Sequence, residues 1–173
     1  LGKRQFWALV VSFFCACWVF YVLLLWMPSY FAHAHGLKIF ASGAYSVAPW
    51  VTMFLVVNFA GWLSDRMIMR GWTTTVTRKT LTSVGLFGAG GLLLCAPMVE
   101  TPGEALLLLC LALAFLAIAY ASQPPNVFDI APRYAHVLFS ILNTFGSLPG
   151  IFGVALTGIL VEATHSYDAA LSF

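Results

Sequence analysis

Hydrophobic residues in this chain form five long blocks, and short segments between the blocks carry most of the charges. The approximate limits of the blocks are residues 6–31, 39–63, 80–99, 105–122 and 135–161. A hydrophobic stretch of about 20 residues can cross the roughly 30 Å hydrocarbon core of a bilayer as an α-helix. The pattern therefore predicts an all-α, polytopic membrane protein with five transmembrane helices.

Composition supports the same class of protein. Of the 173 residues, 61% are hydrophobic and only 8% are charged, whereas about a quarter of the residues in a soluble domain are charged. The lipid bilayer is therefore the first partner that we expect, and the protein is expected to be integral and multi-pass. The formal charge of +2 gives no reason to expect a nucleic-acid partner.

The cationic residues are divided unequally between the two predicted sides of the membrane. Lys38 is the only one on the side opposite the N-terminus. The side of the N-terminus holds Lys3, Arg4, Arg66, Arg70, Arg78, Lys79 and Arg133. Cytoplasmic segments of membrane proteins are enriched in lysine and arginine. We therefore expect the N-terminus and the predicted loop 64–79 to lie in the cytoplasm or its topological equivalent.

The loop after the second block contains Gly61, Asp65, Arg66 and Arg70. Two interpretations of these residues are open. In the first, the cations only fix the orientation of the loop. In the second, the loop is a gate: Gly61 lets two helix ends approach closely, and Asp65 is held by an arginine or by the N-terminus of a neighbouring helix.

The segment 123–126, Gln-Pro-Pro-Asn, is predicted to end the fourth helix, because neither proline can donate a backbone hydrogen bond. Beyond it, Asp129 and Arg133 are separated by four residues and would form an ion pair if this segment were helical. A structural ion pair that holds the loop is the favoured interpretation for Arg133. For Asp129, contact with a substrate or coupling ion is an equal alternative.

Several motifs resemble those of known transporters. The spacing G-x-L-S-D-R-x-x-x-R from Gly61 to Arg70 resembles the loop motif of the major facilitator superfamily. The runs D-I-A-P-R-Y-A at 129–135 and S-I-L-N-T-F-G-S-L-P-G-I-F-G at 140–153 resemble the anion:cation symporter family. The runs L-W-M-P-S-Y-F at 25–31 and R-G-W-T-T-T-V-T-R-K at 70–79 resemble the plant and algal plastid anion transporters of the phosphate transporter 4 group. In that family resemblance, Asn126, Asp129 and Arg133 are signature residues.

The resemblance implies that the five spans correspond to helices seven to eleven of a twelve-helix transporter. The N-terminal half of the same polypeptide and the last helix would then lie outside this chain. The implied function is secondary transport of small anions, inorganic phosphate or organic anions, by alternating access coupled to sodium or protons. The membrane would be the plastid envelope, the thylakoid or the plasma membrane. Ala16 stands where vesicular glutamate transporters carry an arginine, which argues against glutamate specificity of that type.

Three residues within the spans are candidates for a substrate cavity: Trp18, Tyr21 and Asn143. For Trp18 and Tyr21, aromatic packing or lipid contact is the favoured alternative. For Asn143, a hydrogen bond between helices is favoured over a cavity contact. No arginine or lysine falls inside the predicted spans, so an anion site is expected to need cations from the N-terminal half.

Small residues form stripes on two predicted helices. One narrow arc of the fifth helix contains Gly146, Gly150, Gly153 and Thr157. The third helix has a similar surface of small residues, formed by Gly85, Gly88, Gly90 and Gly91. Because lipid offers helices no hydrophobic driving force to associate, small residues that allow close backbone contact are typical of helix interfaces. Helix packing is therefore the favoured role of these glycines.

Other functions receive less support from the sequence. Cys15 and Cys17 lie about 200° apart around a helix, so the chain offers no clear metal site and no cofactor is expected. A channel would need a continuous polar pore or a filter loop, and neither is found. A membrane enzyme would need clustered catalytic groups at one interface, and Asp129, Arg133 and His136 are the only such cluster in the sequence. The remaining alternative is an incomplete membrane fragment that does not transport.

Overall fold

The computed structural model describes residues 4–34, 38–99 and 101–164. It contains the α-helices α1 (Arg4–Ala34), α2 (Ile39–Met69), α3 (Thr74–Leu93), α4 (Pro102–Ile130) and α5 (Ala135–Thr164). Short 3-10 helices, Ala96–Met98 and Pro132–Tyr134, precede α4 and α5. Within the described ranges, five helical segments are long and hydrophobic enough to span a membrane. The predicted fold class is therefore confirmed.

The connection between α2 and α3 is much shorter than the loop 64–79 predicted from the sequence. The helix α2 continues to Met69, and Gly71 adopts a φ of +94°, which favours glycine. The amide of Trp72 donates to the carbonyl of Met67, and that of Gly71 to Ile68, in a Schellman motif that ends the helix. The hydroxyl of Thr73 then accepts from Val76 N and caps α3.

The prediction that the two prolines end the fourth helix is wrong. Both Pro124 and Pro125 lie inside α4, which continues to Ile130. A proline in a helix interior costs about 3 kcal/mol, but transmembrane helices tolerate proline where neighbouring helices surround the freed backbone groups. Here α4 packs against α1, α2 and α3. The helix ends instead at Ala131, whose extended φ of −151° is the conformation that the following Pro132 favours.

The centre of the bundle is α4, which lies against α2 and α3 along most of its length, while α1 pairs mainly with α5. Two clusters of buried residues form the core. One surrounds Met27 and Phe31 of α1 and Leu113 of α4. The other surrounds Phe6 of α1 and Leu142 of α5. The hydrophobic contacts of α1 with α4 and α5 thus fix the position of its first residue, Arg4, relative to the ends of its neighbours.

The glycines of the α5 stripe lie at a helix interface, as expected from the sequence, and so do Gly85 and Gly88 of α3. The other two glycines of the α3 stripe do not, because a Cβ atom at Gly90 or Gly91 would meet nothing within 4 Å. On α5, a Cβ atom added at Gly150 would lie 3.3 Å from the ring of Tyr21, and one at Gly153 would lie 3.3 Å from the ring of Trp18. On α3, a Cβ atom at Gly85 would lie 2.5 Å from the backbone nitrogen of Ala119. These positions need the smallest residue because α5 packs on α1, and α3 on α4, at very close range.

Candidate functional site

The second turn of α3 places an arginine inside the bundle. Because Thr73 caps the helix and α3 begins at Thr74, Arg78 is a helical residue only 7% exposed. Its Nε donates a 2.9 Å hydrogen bond to Oδ2 of Asp129, at the end of α4. Its Nη1 donates a 2.7 Å hydrogen bond to Oγ of Ser64, a fully buried residue of α2. One guanidinium therefore connects three helices through charge-assisted hydrogen bonds.

The sequence predicted a different partner for Asp129. In the structure Asp129 pairs with Arg78, not with Arg133, so the local ion pair expected four residues apart is wrong. The reason is the break at Ala131 and Pro132, which takes Arg133 off the helical repeat of α4. The guanidinium of Arg133 instead lies 5.9 Å from the centre of the Tyr134 ring, where a cation–π contact is favourable.

A cleft of about 680 Å³ opens beside this ion pair. It lies where α1 and α3 begin and α4 ends. Most of the residues that line it are of polar or charged type: Arg4, Gln5, Ala8, Leu9, Ser12, Thr74, Thr75, Arg78, Lys79, Thr82, Ser83, Asn126, Asp129 and Ile130. We call it the cationic cleft, since Arg4, Arg78 and Lys79 outnumber its single carboxylate, Asp129.

The cationic cleft corrects an expectation from the sequence. The third span was predicted to begin near Thr80, so that Arg78 and Lys79 lay in a loop outside the membrane helices. Both residues belong to α3 and to the membrane-spanning segment Thr74–Met98. The helix extends beyond its hydrophobic block because long cationic side chains can lie along a bundle while their charges reach polar surroundings. The chain therefore contributes cations of its own to a site between helices.

The predicted gating residues lie on the last turns of α2. Asp65 and Arg66 are exposed there, and Arg66 lies 5.9 Å from the centre of the Trp62 ring. Arg70 forms the C-cap of the same helix. A Cβ atom added at Gly61 would meet nothing within 4 Å. The close helix approach expected at Gly61 is thus not made among the described residues. The role of Asp65 in a gate stays a prediction.

The structure separates the other predicted site residues into two groups. Asn126 lines the cationic cleft together with Asp129. The rings of Trp18 and Tyr21 pack against Gly153 and Gly150 of α5, the packing alternative that the sequence favoured. Asn143 is exposed on α5 and does not line the cationic cleft.

The sequence alone did not indicate the serine and threonine residues that form hydrogen bonds between α2, α3 and α4. Besides Ser64, the hydroxyls of Thr82 on α3 and Ser122 on α4 lie 2.8 Å apart, in hydrogen-bond contact. For Arg78, the sequence feature that could have indicated its position is the spacing of seven residues from Gly85, which puts both residues on one face of a helix. Extending the predicted helix by two turns would have placed Arg78 at the α3–α4 interface. Ser64 carried no comparable signal, because serine is common at all helix interfaces in membranes.

Comparison with known families identifies one superfamily. The sequence profile described as Major Facilitator Superfamily matches residues 1–154. That match covers all of α1 to α4 and most of α5, including every residue of the cationic cleft.

Curated relatives cover the same part of the chain. A protein named "Probable anion transporter 1, chloroplastic" from Oryza sativa is 37% identical over 162 residues, 94% of this chain and 31% of that protein. The "Ascorbate transporter, chloroplastic" of Arabidopsis thaliana is 37% identical, with 94% and 30% covered. The "Sodium-dependent phosphate transport protein 1, chloroplastic" of Arabidopsis thaliana is 35% identical, with 94% and 32% covered. The chain spans about a third of the length of these relatives, and they confirm the resemblance to plastid anion transporters.

Proposed function

Because the chain belongs to the major facilitator superfamily, we propose that it is part of a secondary transporter that moves small anions across a membrane. The observation that carries this proposal is its similarity, over 94% of its length, to proteins named as anion, ascorbate and phosphate transporters. Inorganic phosphate and small organic anions are the proposed substrates. We propose transport rather than enzymatic catalysis, and no cofactor besides a coupling ion.

The proposed mechanism is alternating access, with the substrate bound near the midplane between two halves of the protein. These five helices would form most of one half, and the other would come from an N-terminal part of the same polypeptide. Two features support this arrangement. The face of α2 around Gly61 has open space, and Asp65 and Arg66 are exposed beside it. A second bundle that packs on this face could therefore reach the gating residues.

We propose sodium or protons as the coupling ion, and a plastid membrane as the first location to test. One relative is named as sodium-dependent and chloroplastic, which supports both choices. Either ion would supply the free energy for accumulating an anion against its gradient.

The test is uptake by the full-length protein in liposomes. Labelled phosphate and labelled ascorbate would be offered with an inward sodium gradient, an inward proton gradient, or none. We expect saturable uptake of at least one anion that depends on one gradient. The 173-residue chain alone is the matched control, and we expect it to insert without transporting, because the site between the halves would be incomplete. Absence of gradient-dependent uptake by the full-length protein would contradict the proposal, and uptake by the control would contradict the two-half mechanism.

The gating interpretation makes a separate prediction. Replacing Asp65 by asparagine in the full-length protein should lower the maximal uptake rate about tenfold and leave membrane insertion unchanged. The reason is the loss of an interaction of about 1.4 kcal/mol that stabilises one conformation of the transporter. Uptake kinetics and the amount of protein in the membrane should be measured together. Glu162, an exposed carboxylate on the last turns of α5, provides the control variant Glu162→Gln. If Asp65→Asn transports like the parent, the Asp65 segment only determines topology.

A further inference from the structure

We propose that the cationic cleft is an entry site that binds a free, phosphate-type oxyanion before the ion reaches the site between the two halves. This inference rests on the proposed transport function. It assigns to this chain an anion-binding role of its own, in addition to the binding expected between the halves.

The charges in the cleft favour an anion. Asp129 is already paired with Arg78 at 2.9 Å, so its negative charge is largely compensated. Arg4 and Lys79 are exposed at the rim, and no ion pair involves them among the residues that the structure describes. Their positive charges therefore remain available, and a concave surface lined by charges of one sign raises the local concentration of ions of the opposite sign.

Arg78 supplies a fixed donor in the wall of the cleft. A guanidinium carries five N–H donors in a planar fork, and the contacts to Asp129 and Ser64 are made by Nε and Nη1. The remaining donors belong to a side chain that is held in place and lines the cleft. Because Arg78 is ordered before the anion arrives, binding does not need to immobilise a flexible side chain.

Hydroxyl groups and a helix terminus add neutral donors. Ser83 lines the cleft with an exposed side chain, and its hydroxyl can donate to a phosphate oxygen. The hydroxyls of Ser12 and Thr82 also line the cleft, but they already contact Leu9 O and Ser122 Oγ. Thr74 and Thr75 are the first residues of α3 and line it as well. The first N–H groups of a helix have no partner within the helix and give its N-terminus a partial positive charge that favours anions. They strengthen a site that the three cationic side chains already define.

The size of the cleft suits a free anion. The volume of about 680 Å³ is that of a pocket for a drug-sized molecule, so phosphate fits together with bound water. The lining extends from Arg4 to Ser12 on α1 and from Thr74 to Thr82 on α3, a rise of about 12 Å along each helix. A lipid headgroup offers the same phosphate oxygens, and the experiment below separates these two sources.

The test measures phosphate binding to the full-length protein in nanodiscs made only of phosphatidylcholine. Titration calorimetry at low salt would compare the parent with Arg4→Gln, Lys79→Gln and the double variant. We expect each single variant to weaken phosphate binding about fivefold and the double variant about twentyfold, because each removes one charge near the anion. Arg133→Gln is the matched control: it removes an exposed cation from the same end of the bundle but outside the cleft. We expect its affinity to stay within about twofold of the parent.

Two results would overturn the entry site. One is phosphate affinity that is the same in the parent and in the Arg4 and Lys79 variants. The other is loss of phosphate binding when the nanodiscs contain phosphatidylglycerol, together with copurification of that lipid with the parent but not with the Lys79 variant. That result would identify a lipid headgroup as the occupant. Both variants change exposed side chains, so the fold is expected to persist, and an unchanged thermal unfolding midpoint would verify it.

Uptake measurements distinguish this inference from the proposed function. If the parent transports phosphate, Lys79→Gln should raise KM about fivefold at an unchanged maximal rate, because the step after entry is intact. Transport with an unchanged KM in this variant would overturn the entry site and leave the proposed function standing. Charge-dependent phosphate binding without uptake of any anion by the parent would support the oxyanion site and contradict the proposed function.

Discussion

The bundle contains two glycine-rich helix interfaces that are built differently. Where α5 packs on α1, glycines face aromatic rings: Gly146 faces Phe13, Gly150 faces Tyr21 and Gly153 faces Trp18. Where α3 packs on α4, Gly88 also faces a ring, that of Phe115, but Gly85 faces the backbone of Ala119. A ring at the end of a side chain can shift by a few tenths of an ångström, whereas helix backbones in contact cannot separate locally.

Polar contacts increase the difference between the two interfaces. The α3–α4 interface continues from Gly85 to the Thr82–Ser122 contact at 2.8 Å and then to the Arg78–Asp129 pair at 2.9 Å. Each of these contacts fixes the register of the two helices. The α1–α5 interface places aromatic rings over glycines. We infer that α3 and α4 form a rigid pair and that the α1–α5 contact tolerates small displacements.

The largest expected effect follows a change at the backbone contact. Gly85→Ala should destabilise the full-length protein by about 2–3 kcal/mol. The added methyl group would overpack the interface, and only a movement of the helix backbone could relieve the clash. Thermal unfolding in detergent, followed by tryptophan fluorescence, would measure it. Gly90→Ala is the control on the same helix, since a Cβ atom there meets nothing within 4 Å. Equal unfolding midpoints for the two variants would show that the close contact of α3 with α4 does not limit stability.

A smaller loss is expected when the ion pair is broken. Arg78→Gln should destabilise by about 1–2 kcal/mol, less than for a fully buried pair, because the Asp129 side chain is 36% exposed and partly solvated. A double-mutant cycle with Asp129→Asn isolates the pairwise interaction. We expect the double variant to lose less stability than the sum of the single variants. Additive losses would mean that the two side chains act independently.

The smallest effect is expected at the interface of rings and glycines. Gly153→Ala should cost less than about 1 kcal/mol, because its Cβ atom would lie 3.3 Å from the Trp18 ring, which can move away, and alanine favours the helix by about 1 kcal/mol over glycine. The same unfolding assay ranks this variant against Gly85→Ala. A loss as large as that of Gly85→Ala would contradict the distinction between the two interfaces.

The hydrophobic pattern predicted the number of helices because a membrane span needs a minimum length of apolar sequence. It placed the ends of α1 and α5 within a few residues, but it ended α2 early and began α3 late. Helix ends that carry Asp65, Arg66, Arg78 and Lys79 are polar, so hydropathy loses them although their backbone is helical. Capping by Thr73 and the turn at Gly71 determine those ends, and both depend on local geometry.

The candidate site was harder to predict than the helices. Its residues come from α1, α2, α3 and α4, and the sequence separation between Arg78 and Asp129 is 51 residues. Local spacing suggested Arg133 as the partner of Asp129, because that argument considers only neighbours along one helix. The packing of α3 on α4 determined the true partner, and packing between helices cannot be read from spacing alone. Asp129 and Asn126 were nonetheless recognised, since polar residues near a membrane boundary are few.

The long separation between Arg78 and Asp129 has a consequence for synthesis. The short turn at Gly71 lets α2 and α3 enter the bilayer together as a helical hairpin, and within it Ser64 already accepts from Arg78. Asp129 emerges from the ribosome 51 residues later, which at about 5–20 residues per second is a delay of about 3–10 s. During that interval Arg78 has a hydroxyl but no carboxylate partner. We therefore expect the start of α3 to stay near the interface until α4 arrives and supplies the carboxylate of Asp129.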